Sequence, residues 1–142
     1  MKKITLVLLV HFLMSCSSNP ELIIPQLNGY WEIDQVRVHD STTRDYNFNN
    51  TIDYIEISTD HLSGFRRKLK PNIMGTFETS KSKEDFSITL ENDSLKIYYK
   101  TPFAEWTETV LSVNNKALVI LNNVNKDVYI YKRYESIDVN NL

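Results

Sequence analysis

The chain has 142 residues, of which 42% are hydrophobic and 24% charged, with 18 acidic and 16 basic side chains. That length suits one domain with a sizeable core, and the slight acidic excess argues against nucleic acid as a main partner. Cys16 is the only cysteine, so an intrachain disulfide is excluded and the core alone must hold the fold.

Met1-Lys2-Lys3 is a short positive start, followed by an apolar run from residue 4 to 14 broken only by Thr5 and His11. This pattern reads as a secretory signal. The run is about half of the ~20 residues that span a bilayer as a helix. Leu13-Met14-Ser15-Cys16 resembles the bacterial lipobox, in which an aliphatic, a variable and a small residue precede a cysteine. That resemblance implies cleavage before Cys16 and acylation of its thiol and amine. Several acyl chains anchor a protein stably where one does not. The expected order is a signal peptide over 1–15, a lipidated tether over 16–26, one domain over 27–135 and a tail over 136–142. Surface-exported lipoproteins of the Bacteroidota tend to carry an acidic run after the cysteine, whereas this chain has only Glu21. The expected location is therefore the cell envelope, as an outer-membrane lipoprotein facing the periplasm.

From residue 27 onward apolar residues recur at a period of two, the signature of strands. Residues 29–39 form the first, with Trp31 and Ile33 in one phase and Val36 and Val38 in the other. A phase switch inside one strand predicts a bulge near Asp34-Gln35. A polar loop follows over 41–50, with Tyr46 and Phe48 as candidates to fold back on the core. Further strands are expected over 54–59, 62–69 and 73–79. Phe86, Ile88 and Leu90 alternate with Ser87 and Thr89, and after the turn signal Asn92-Asp93 the strand of Leu95, Ile97 and Tyr99 returns antiparallel. The last strands are expected over 104–113, 117–121 and 128–135. Hardly any helix signal occurs. The whole reads as all-β, a single antiparallel up-and-down barrel of about eight to nine strands, since closure removes exposed edges.

Asn28-Gly29-Tyr30-Trp31 resembles the Gly-x-Trp of lipocalins. The segment from Val110 to Leu121, followed by Tyr129-Ile130-Tyr131-Lys132-Arg133, resembles the hairpin and closing strand of lipocalin-like lipoproteins of the Bacteroidota type. The resemblance implies that Gly29 and Trp31 are structural residues at the closed end of a barrel. It also implies that Arg133 lies across the Trp31 ring, where a guanidinium over an indole is worth roughly 0.5–2 kcal/mol. Lipocalins proper carry a helix after the barrel; residues 136–142 are too few for one.

No motif for metal or catalysis stands out. His39-Asp40 and Asp60-His61 are adjacent pairs in turns, not three or four convergent ligands. Neither a Gly-x-Ser-x-Gly elbow nor a glycine-rich phosphate loop occurs. No cofactor, no metal and no enzymatic activity are expected. Arg66, Arg67, Lys68 and Lys70 form the one basic cluster. It reads as an edge strand guarded by charge, or as a contact for anionic headgroups. Tyr99, Trp106, Tyr129 and Tyr131 are the candidates to line a lumen, because alternate barrel residues face inward. Eight strands are compatible both with a lumen filled by side chains and with one that holds a small ligand. Two functional readings follow: a binder of a small hydrophobic ligand, or an accessory lipoprotein that docks onto an outer-membrane protein complex through loop aromatics such as Tyr46, Phe48 and Phe103.

Overall fold

The computed structural model describes residues 20–59 and 62–136. Cys16, the segment expected as a signal peptide, His61 and most of the expected tail lie outside those residues. Ten strands form one antiparallel sheet: β1 (Gly29–Arg37), β2 (Thr43–Asp45), β3 (Ile52–Ser58), β4 (Ser63–Pro71), β5 (Phe77–Thr79), β6 (Glu84–Glu91), β7 (Ser94–Lys100), β8 (Glu105–Val113), β9 (Ala117–Asn122) and β10 (Val128–Arg133). Eight of them run in the order β10-β9-β8-β7-β6-β4-β3-β1. Pairing of β1 with β10 then closes the barrel, with Trp31 opposite Arg133 and Arg37 opposite Val128. The short β2 and β5 lie beside β1 and β4.

Residue chemistry accounts for the clearest of these strands. In β6 and β7 the residues Phe86, Ile88, Leu95, Ile97 and Tyr99 are buried, while the residues between them are more exposed. The hairpin between them turns at Asn92 and Asp93, both at positive φ (49° and 59°), as a tight two-residue turn matched to strand twist requires. The phase switch in β1 is a register shift between Ile33 and Gln35 against β10. A second shift falls between Val110 and Ser112 of β8. Each one places residues of both phases on the core side, Trp31 with Val36 and Val110 with Val113.

Four features differ from the sequence expectation. Thr43–Asp45, inside the expected polar loop, pairs with β1 as β2. Residues assigned to the tether form a 3₁₀ helix, Pro20–Leu27, whose Ile24 and Leu27 are buried in the core. The expected strand over 73–79 is reduced to β5, because Asn72–Thr76 closes a side-chain-capped turn in which the Asn72 carbonyl oxygen of the amide accepts from the Met74 and Thr76 N–H groups. Phe48 does not fold back on the core; it is 96% exposed.

The helix plugs one end of the barrel. Trp31 is fully buried, and its indole N–H donates to the Leu27 carbonyl at 2.8 Å. The Arg133 guanidinium carbon stands 3.6 Å from the Trp31 ring centroid. Its Nη1 and Nη2 donate to the Asn28 and Gln26 carbonyls at 2.7 and 3.1 Å. Gly29 allows this approach. Its φ is +114°, and a Cβ there would come within 2.7 Å of Arg133 Nη1. Above this plug Ile55, Ile57, Phe86, Ile97, Leu118 and Ile120 fill the lower lumen with packed apolar side chains. On the outer face, Tyr30 stacks on Phe77 of β5 at 5.0 Å, and Phe77 meets Tyr134 edge-on at 6.0 Å, which ties β5 to the barrel wall.

Candidate ligand-binding site

The upper lumen differs in chemistry from the lower. Asp53 shares the inward phase of Ile55 and Ile57 on β3, and Glu108 lies between Trp106 and Val110 on β8; both carboxylates are buried. Opposite them, β4 presents Arg66 and Lys68, paired in register with Ile55 and Asp53. Arg66 is therefore an interior residue: only 12% of its side chain is exposed. Its Nε donates to Glu84 Oε2 at 2.8 Å and its Nη1 reaches both oxygens of Glu108 at 3.3–3.4 Å. Lys68 Nζ stands 2.6 Å from Asp53 Oδ1 as an ion pair, without hydrogen-bond angles.

Aromatic rings brace this cluster. The guanidinium of Arg66 lies 4.6 Å over the Tyr99 ring. Tyr99 stacks on Trp106 with centroids 4.6 Å apart and planes 6° from parallel. The indole N–H of Trp106 donates to Glu108 Oε1 at 3.2 Å. Burial opposes the charge on Arg66, but the neighbouring Tyr99, Glu108 and Asp53 outweigh it and hold its pKa well above the usual value. Burial also pushes the phenols of Tyr99 and Tyr131 well above their ordinary pKa, so both are neutral at physiological pH. The Tyr99 hydroxyl is buried without a hydrogen-bond partner.

Above this layer lies a cavity of ≈ 240 Å³ lined by Arg66, Lys68, Trp106, Glu108, Asn122, Tyr129 and Tyr131. It opens toward the β7–β8 and β9–β10 turns, the end opposite the plug. Its volume corresponds to about eight waters and lies just below the roughly 300–1,000 Å³ of pockets for drug-sized ligands. The cavity admits a ring-sized molecule or one end of a longer one.

Of the candidate lining residues, Trp106, Tyr129 and Tyr131 border this cavity, whereas Tyr99 lies beneath it under Arg66. The basic cluster does not form one surface patch. Strand alternation turns Arg66 and Lys68 to the inner face, Lys68 with much of its side chain still in solvent, and Arg67 to the outer face beside Phe65, at 5.5 Å; Lys70 shares the phase of Arg66 but stands near the end of β4, exposed. Arg66 is thus corrected from a headgroup contact to a buried ion-pair partner. Gly29, Trp31 and Arg133 stand at the plug, away from the cavity. Asp53, Glu84, Glu108 and Asn122 were missed in the sequence. The signal for Asp53 and Glu108 was their inward phase: a carboxylate in step with core isoleucines or valine has to meet a cation inside. Among the described residues, no three His, Cys, Asp or Glu side chains are grouped to hold a metal ion.

A closed eight-stranded antiparallel barrel, plugged at one end and hollow at the other, has the architecture of small-ligand binding barrels. The family model of the lipocalin-like domain matches residues 27–120, and the chain belongs to that family. No curated protein and no solved structure matches it.

Proposed function

We propose that this is a lipid-anchored lipocalin-like protein of the cell envelope that holds one small ligand in its upper lumen and acts by binding rather than by catalysis. The observation that carries the reading is the cavity between Trp106, Tyr129 and Tyr131, set over a layer of ions already matched to one another. Arg66 is paired with Glu84 and Glu108, and Lys68 with Asp53. A ligand that enters therefore meets ring faces and hydrogen-bonding edges, with no isolated charge to neutralise. It is a compact, uncharged molecule with an apolar face, such as a phenol or the cyclic end of a lipid. The lipobox ending in Cys16 supports the anchor, and the lack of an acidic run after it, where only Glu21 is acidic, supports the periplasm-facing outer-membrane location.

Trp106 supplies the test. Titration with a panel of small cyclic compounds is expected to change tryptophan fluorescence saturably. Trp106→Phe should abolish the change, because Trp31 is remote and sealed in the plug. Absence of saturable binding across phenols, cyclic terpenoids and short fatty acids would overturn the reading.

A second reading has one observation in its favour. Phe48 and Phe103 are 96% and 97% exposed, an uncommon position for phenylalanine and one suited to anchoring on an outer-membrane protein complex. Cross-linking from these two positions in intact cells that yields only monomer would remove it.

A further inference from the structure

The plugged end of the barrel carries an apolar groove of its own. Ile24 and Pro25 of the 3₁₀ helix, Leu62 of the β3–β4 turn and Leu90 at the end of β6 border it, with Thr59 and Glu21 at the edge. Its volume is ≈ 230 Å³. Leu62 and Leu90 are 43% and 38% exposed, and Leu22 on the same helix is 71% exposed. The Ile88 N–H donates to the Leu62 carbonyl at 2.6 Å, so the turn and β6 hold their leucines side by side.

The helix that forms one wall of this groove starts at Pro20. Only three residues, Ser17, Ser18 and Asn19, separate it from Cys16, and the four chain steps from Cys16 to Pro20 span at most about 14 Å when fully extended. A lipid on Cys16 therefore brings this end of the molecule to the bilayer, with little room for a protein between them. We infer that the plugged end rests on the membrane that holds the anchor, with Leu22, Leu62 and Leu90 entering the lipid interface. Apolar side chains at the headgroup boundary add to an acyl anchor in the manner of interfacial segments. The barrel then stands upright. Strands of up to nine residues, tilted as in eight-stranded barrels, set its height at roughly 20–25 Å. The cavity mouth faces water at that distance, so the ligand is collected from solution or from something across the aqueous gap, not from the lipids beneath.

This orientation rests on the lipid at Cys16, and the experiment separates the two. Because Cys16 is acylated in the anchored form, Leu90→Cys and Phe103→Cys each supply one free thiol for an environment-sensitive fluorophore. The labelled full-length lipoproteins are reconstituted in phosphatidylcholine–phosphatidylglycerol vesicles, and intact mass reports acylation independently. The expected result is a blue-shifted probe at position 90, protected from iodide and quenched by brominated acyl chains, with a water-like probe at position 103. Leu22→Cys should behave like Leu90→Cys. An acylated protein with both probes in water, or with position 103 in lipid, overturns the orientation and leaves the anchor standing. A mass without acyl groups overturns both.

Discussion

Arg66 shows how far a residue's setting outweighs its type. Its guanidinium lies inside the barrel between two carboxylates and a tyrosine ring, and Glu108 is buried with it. Removing one partner of such a pair leaves an uncompensated charge, which costs about 3–5 kcal/mol. Arg66→Met should therefore destabilise the protein by that amount in urea denaturation. Arg66→Met combined with Glu108→Leu should recover most of it, since well-packed apolar replacements of buried pairs are often neutral. Additive losses in the double variant would show that the two groups do not share one interaction. Tyr99 and Tyr131 make a related prediction. Their pKa values are raised by burial, so their contribution to stability is intact below the ordinary phenol value near 10 and is lost as pH rises beyond it. Ultraviolet absorbance should show these two phenols ionising only as the near-ultraviolet circular dichroism collapses. Complete ionisation of all tyrosines in a protein that keeps its dichroism would contradict their burial.

Among the elements, those with a strong apolar alternation were legible in the sequence and those whose structure depends on distant partners were not. β6 and β7 announce themselves by Phe86, Ile88, Leu95 and Ile97, and the β1 bulge by the step from Trp31 and Ile33 to Val36. β2 has no apolar residue at all. Thr43, Arg44 and Asp45 form a strand because β1 offers its free edge from Gln35 to Arg37. The 3₁₀ helix was hidden by its two prolines and by the polar run Ser17-Ser18-Asn19 before it; only the plugged end of the barrel gives Ile24 and Leu27 something to bury against. Within the site, the aromatic side was legible because Trp106, Tyr129 and Tyr131 stand in strand phase. The ionic side was not, because a basic run reads as solvated surface until β3 supplies Asp53 and β8 supplies Glu108. If the helix is part of the core, Leu27→Ala should lower stability by about 2–5 kcal/mol, shifting the urea midpoint with an unchanged slope. An unshifted midpoint would mark the helix as an appendage.

At the scale of the molecule, two halves of one lumen do two jobs. The lower half is packed solid around Trp31 and supplies the stability that a chain without a disulfide must find in its core. The upper half keeps a cavity open because its walls are braced by ion pairs and stacked rings rather than by filling. Arg66 and Glu108 meet each other there and hold the rings of Tyr99 and Trp106 in place.

Closure by β1 against β10 has a further consequence, for how the molecule is made. The contact from Arg133 to Asn28 joins groups 105 residues apart in sequence. Until that seam zips, both outer strands present unpaired amides and carbonyls to any neighbour. Chains dominated by such long-range pairings reach their native state in milliseconds to seconds rather than microseconds. The polypeptide is at its stickiest during that interval, so aggregation during folding, rather than later unfolding, is where this protein is most vulnerable.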